Sequence, residues 1–304
     1  MKYNFDQVIS RLNTNSVKYD FPEMFGKPSD VTPMWVADMD FPAPPEVIEK
    51  IQKAVAHGIF GYSEGRPAYF EAVRDWFDQY FGFKPKAEWL VKTPGVVFAL
   101  ATAIRALTKA GDPIIIQEPV YHPFRGMIEA NGRTALDNPL TFDGRRYGMN
   151  FDDLERKLTQ SGAKLFILCN PHNPVGRVWT REELETLNRI CLAHNCLVLS
   201  DEIHCDFVRQ GHKHICWGTV SDQALNNSII CTAPSKTFNL AGLQAANIFI
   251  ANDDIRDQFK AAMERCGYHG LNTLALVAAQ SAYESGGAWL EELKTYLDGN
   301  LAYI

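Results

Sequence analysis

Ser228-Ile229-Ile230-Cys231-Thr232-Ala233-Pro234-Ser235-Lys236-Thr237-Phe238-Asn239-Leu240-Ala241-Gly242 joins a short apolar run to a turn of small residues with one lysine at its centre. The run from Ser228 to Cys231 has the length and residue types of a buried strand. A lysine just past a strand is most often a solvated surface charge. Desolvated, an ε-amine loses much of its preference for the charged form, and the neutral amine attacks an aldehyde to give a Schiff base. The rest of the chain decides between these readings.

Outward from this stretch, apolar β-branched runs alternate with amphipathic helical patterns. Ile114 to Ile116, Lys164 to Cys169, Cys196 to Ser200, Ser228 to Cys231 and Ala246 to Ile250 predict strands. Val96 to Lys109, Phe151 to Gln160, Arg181 to His194 and Asp253 to Cys266 predict helices between them. This alternation is the signature of an α/β fold with a mainly parallel central sheet and crossover helices on both faces. Thr180-Arg181-Glu182-Glu183 reads as a capping box, Pro45 suits a first helical position, and Gly111-Asp112-Pro113 separates a helix from the next strand.

Two polar residues follow strands in the same way as Lys236. Asp201 comes after Leu197-Val198-Leu199-Ser200, at the carboxyl end of a buried strand, where open α/β sheets place their ligands. Asn173 lies in Cys169-Asn170-Pro171-His172-Asn173-Pro174-Val175-Gly176, a turn held by two prolines and released by a glycine. Thr93-Pro94-Gly95-Val96-Val97-Phe98 opens a long helix, so the amides of Gly95, Val96 and Val97 can face an anion. Most such turns only cap a helix.

The ordered motifs Asn-Pro-His-Asn-Pro-Val-Gly, Ser-Asp-Glu-Ile-His and Ser-Lys-Thr-Phe-Asn-Leu-Ala-Gly resemble those of the class I/II aminotransferases, the fold type I pyridoxal phosphate enzymes. The resemblance runs from about Thr32 to the end of the chain. The arm Ala37-Asp38-Met39-Asp40-Phe41, Gly61-Tyr62 and His204 are similar to the MalY/PatB-type cystathionine β-lyase (C-S lyase) branch. The resemblance implies a pyridoxal 5'-phosphate cofactor. It makes Lys236 the Schiff-base residue and the base that takes the α-proton, and Asp201 the partner that keeps the pyridine nitrogen protonated. Asn173 and His204 would then meet the phenolic oxygen. Gly95, Val96, Val97 and Ser235 would hold the phosphate. Tyr121, after the Ile114 to Ile116 strand, would stack on the ring, though an aromatic there serves equally as core. Tyr62 would reach the phosphate of a neighbouring subunit, which implies a homodimer with shared sites; otherwise it is a packing tyrosine.

Two departures bear on function. Gln244 stands where many aminotransferases carry a phosphate-binding arginine, which favours lyase over transaminase chemistry. No arginine here matches the one that binds the substrate carboxylate from the carboxy-terminal small domain, and Ile304 falls before that domain would be complete. The expected organisation is an arm with part of a small domain over 1–44, a large cofactor-binding domain over 45–285, and the start of an incomplete small α+β domain over 286–304. The chain is therefore expected to be a shortened form of a longer enzyme, with apolar residues of the helix after Gly287 left exposed.

The expected activity is α,β-elimination of cystathionine or another cysteine S-conjugate to a thiol, pyruvate and ammonia. An aminotransferase of the same fold, a regulatory protein-binding role and an inactive cofactor-binding fragment remain alternatives. At 304 residues, with 46% hydrophobic and 22% charged residues, the chain can bury a sizeable core. A net charge of -6 and the absence of basic blocks argue against nucleic acid as a partner. No run reaches membrane-span length, the amino terminus lacks a signal h-region, and seven scattered cysteines read as reduced thiols, so the cytoplasm is the expected compartment. His204, Cys205, His212, His214 and Cys216 fit no zinc spacing, and no metal is expected.

Overall fold

A computed structural model describes residues 2–304. A seven-stranded sheet runs in the order β1-β9-β8-β7-β6-β2-β3. Its strands are β1 (Leu90–Thr93), β2 (Pro113–Ile116), β3 (Thr134–Asp137), β6 (Leu165–Cys169), β7 (Leu197–Asp201), β8 (Ser228–Thr232) and β9 (Ala246–Phe249). The short strands β4 (Thr141–Phe142) and β5 (Tyr147–Gly148) form a separate hairpin. Every pairing from β3 to β8 is parallel, whereas β9 runs antiparallel to both β8 and β1.

The strands are apolar throughout because both sheet faces are covered. Ile115, Phe166, Leu168, Val198, Ile230 and Phe249 point into one core, against the helices Pro67–Phe81, Phe151–Ser161, Arg181–Ala193 and Thr273–Ser285. Their neighbours Ile114, Ile167, Leu199, Ile229 and Ile248 point into the other, against Val96–Leu107, Pro123–Ala130 and Asp253–Arg265. The capping box at Thr180 is formed in both directions, with Glu183 returning a carboxylate to the Thr180 amide at 2.8 Å. Pro45 opens the helix Pro45–His57.

Residues ahead of Pro45 form a wrapping arm with one short 3₁₀ turn, Pro22–Phe25. The arm also supplies core: Tyr3 and Phe5 are buried. That corrects the expectation for the last helix, Gly287–Tyr303. Its Trp289, Leu290 and Leu293 are buried, with the Phe5 ring 5.6 Å from Trp289, and only its final residues, including Leu301 and Tyr303, expose apolar surface. The amide groups of Lys2 and Tyr3 both donate to the Glu292 carboxylate, at 2.8 and 3.0 Å. No periodicity signals this pairing, because its partners lie at opposite ends of the chain.

Candidate active site

All the parallel strands of the sheet end at one edge, and the turns leaving them line a cavity of about 860 Å³. Gly95 follows β1, Tyr121 follows β2, Asn173 follows β6, Asp201 is the last residue of β7, and Ser235 and Lys236 follow β8. All six line the cavity, together with Val96, Val97, His204 and Gln244. Sequence reasoning named each of these residues. Tyr62 is not among the lining residues; it stands fully exposed on the loop before Pro67.

Lys236 lies in a single helical turn, Pro234–Thr237, rather than in an open turn. Pro234 provides the fixed first position of that turn. Burial pushes the ε-amine below the ordinary lysine range, while the carboxylates of Asp38 and Asp201 pull the other way. Its Nζ donates to the carbonyl of Ala37 at 3.0 Å.

Asp201 is buried, and its Oδ1 accepts one hydrogen bond, from the Ile203 amide at 3.1 Å. It makes no ion pair among the described residues. Desolvation therefore raises its carboxyl to about 7, helped by the neighbouring Glu202 charge and opposed by Lys236. A buried carboxylate open to a cavity and lacking a cation fits a ligand that brings a charged N–H.

The other walls are less polar. His204 is held neutral, its imidazole lowered to about 4 by burial and by the Lys236 charge. Tyr121 is pushed up by burial and by Asp201, so its phenol stays protonated. Asn173 is fixed through its backbone, whose N–H donates to Cys169 Sγ at 3.3 Å. The Cys169 thiol also lines the cavity, and desolvation drives it well above the ordinary range. At the rim, Gly95, Val96 and Val97 at the start of the helix Val96–Leu107 line the cavity; the first amides of a helix have no intrahelical acceptor and carry the positive end of its dipole. No arginine lines the cavity among the described residues.

Sequence reasoning missed one wall. Met34, Trp35, Val36 and Ala37 line the cavity as a strap, and in the sequence the arm motif at residues 37–41 marks only a family likeness. Nothing local marks a backbone carbonyl as a partner for a lysine 199 residues away. Two buried histidines meet partners outside the cavity. His172 turns inward, with Nε2 3.0 Å from the Pro119 carbonyl and its ring on Trp179. His214 meets Glu202.

A desolvated amine, a cation-seeking carboxylate, an aromatic wall and a helix start at the carboxyl edge of a β9-reversed sheet define a fold type I transferase fold. The chain belongs to the class I and II aminotransferase family, whose pattern matches residues 29–304. It is 47% identical to the cystathionine β-lyase PatB of Bacillus subtilis (strain 168), over 98% of this chain and 77% of that protein. Identity to the protein MalY of Escherichia coli (strain K12) is 33%, over 99% of this chain and 77% of that one. Cystalysin from Treponema denticola, whose crystal structure contains pyridoxal 5'-phosphate, superposes with a TM-score of 0.94 at 35% identity, covering 99% of this chain and 77% of that chain.

Proposed function

We propose that the chain is a pyridoxal 5'-phosphate-dependent carbon-sulfur β-lyase acting on L-cystathionine or a related cysteine S-conjugate. The observation that carries this reading is the buried, cation-lacking carboxylate of Asp201 sharing one cavity with the desolvated amine of Lys236. The bound cofactor supplies an aldehyde for the amine and a protonated ring that takes up the electron pair left at the substrate α-carbon.

The residues present fit that group. Asp201 would hold the ring N–H and keep its charge. Asn173 and His204 would meet the phenolic oxygen, and the neutral imidazole has one N–H to give. Gly95, Val96 and Val97 offer amides, and Ser235 a hydroxyl, to the phosphate. Tyr121 would cover the ring. Lys236 Nζ would hold the cofactor covalently, and the same amine, once free, would take the proton from the substrate Cα. The bond from Cβ to sulfur then breaks, and with one water the products are a thiol, pyruvate and ammonia. The strap and Tyr121 keep bulk water away from that proton transfer.

Within this reading, residues 45–285 carry every proposed cofactor contact, and the arm closes the cavity. The exposed Tyr62 reaches the phosphate of a second copy in a homodimer. The enzyme works in the cytoplasm, where its seven free thiols stay reduced.

The test is pyruvate release from L-cystathionine by the purified, cofactor-loaded chain with no keto acid present. Turnover that depends on an added keto acid and yields no thiol makes it an aminotransferase and overturns the reading.

A further inference from the structure

Asn239 sits three residues past Lys236, with its backbone in the left-handed region at φ 57°. Asparagine is one of the few side-chain-bearing residues that adopts this conformation readily. Its side chain spends all its donors on a segment 200 residues away. Oδ1 accepts from the Met39 amide at 3.0 Å, and Nδ2 donates to the carbonyls of Met39 at 2.9 Å and Phe41 at 2.8 Å. An amide side chain matched this way to two backbone carbonyls and one N–H works as a clip.

What the clip holds is the base of the strap. Immediately ahead of Met39, Asp38 is gripped by Arg11 at 2.7 Å and its carbonyl by Lys18 at 3.3 Å. Asp40 takes Arg11 at 2.9 Å. Val36, in the cavity wall, has φ 59°. A β-branched residue stays there only where its surroundings impose the conformation. One residue later, the Ala37 carbonyl accepts from Lys236 Nζ at 3.0 Å.

We infer that Asn239 is a positioning residue for Lys236. It fixes the strap to the same chain turn that carries the amine, so that the Ala37 carbonyl stands where it orients one N–H of Nζ. The charge lock on Asp38 and Asp40 tethers the strap to the rest of the arm. Among the described residues, Asn239 is the only side chain besides Lys236 itself that hydrogen-bonds the strap from the lysine's own segment. This inference rests on the reading of Lys236 as the reactive amine, but the contact it describes is measurable without any turnover.

The test compares the full-length protein with Asn239→Gly, which keeps the left-handed backbone and removes all three hydrogen bonds. Asn239→Asp keeps the size and sets a carboxylate against two carbonyls, and serves as a second variant should the first fold poorly. Hydrogen exchange is followed in peptides covering residues 34–41 and in β7 as the internal reference. In both variants strap exchange is expected to rise about tenfold or more with β7 unchanged, as loss of a local set of hydrogen bonds requires. In the loaded enzyme, kcat for cystathionine falls about fivefold or more while KM changes less than about twofold, the pattern of a base misplaced for the proton transfer.

Unchanged strap exchange overturns the clip. Exchange rising equally in β7 reports a global structural role, and kcat unchanged while strap exchange rises separates the clip from the amine; either result overturns the positioning claim. If the parent enzyme does not cleave cystathionine, the lyase reading fails while the exchange comparison still decides the clip.

Discussion

Glu202 and His214 form a hydrogen-bonded pair at 2.7 Å whose side chains are 0% and 1% exposed. The other carboxylate oxygen accepts from Ser200 Oγ at 2.9 Å and from the Trp217 amide at 2.8 Å. This buried cluster, built on the residue that follows Asp201, fixes the chain as it leaves β7. Removing one partner of such a pair strands the other without solvent. His214→Leu should therefore destabilise the protein by about 3 kcal/mol. Glu202→Gln, which keeps an acceptor for Ser200 and Trp217, should cost about 1 kcal/mol. Urea unfolding of the two variants checks the order.

Lys236→Ala should abolish lyase turnover by about 10³-fold or more, since one side chain serves as attachment point and base. The same variant should still bind the cofactor reversibly through Asp201 and the amides of the Val96–Leu107 helix start. Pyruvate release and the long-wavelength absorbance of lysine-bound cofactor report the two halves. Turnover within tenfold of the parent would remove Lys236 from the mechanism.

Asp201 predicts a pH dependence with a definite sign. Its carboxyl is raised to about 7 in the folded chain, from an ordinary 3.8. The folded state thus holds a proton that the unfolded state has lost, so this group's stabilising share is full below pH 3.8 and fades as pH rises through about 7. A ligand bringing a protonated ring nitrogen needs the carboxylate ionised. Cofactor addition should consequently raise Tm more at pH 8 than at pH 5.5, and Asp201→Asn should flatten that difference. Parallel shifts in parent and variant across the range would contradict the pairing.

Gly286 separates the helices Thr273–Ser285 and Gly287–Tyr303 at a point of close approach. A Cβ there would fall on Cε1 of Phe238 and 2.5 Å from the Ala282 carbonyl. Phe238 itself is fully buried, two residues from Lys236. Gly286→Ala should cost about 2 kcal/mol through overpacking. If the ring yields, the displacement passes to the Pro234–Thr237 turn, and thermal unfolding together with cofactor affinity should fall in step.

Much of the fold was legible because its signals are local. Five strands and four helices follow from runs and periods within a dozen residues, and the Thr180 capping box needs only four. Elements without such a pattern escaped. Leu90–Thr93 carries Lys92 in a strand of four residues, and Thr273–Ser285 buries small residues around much of its circumference, so neither shows a clean stripe. Asp201, read at the carboxyl end of its strand, closes β7 in register with Cys169 of β6.

By itself the sequence determined that Tyr121, Asn173 and Lys236 follow strands and that Asp201 ends one; Gly95 was legible only as the turn that opens a helix, and the role of Tyr121 came from the family resemblance. A parallel sheet collects such positions at one edge whatever their order in the chain. Only the tertiary structure decided their chemical state. Burial raised Asp201 and lowered Lys236, and it made His204 neutral. The strap was equally a tertiary matter. Its closure over Lys236 depends on Asn239 meeting Met39 and Phe41, contacts between segments about 200 residues apart that no window along the chain can contain.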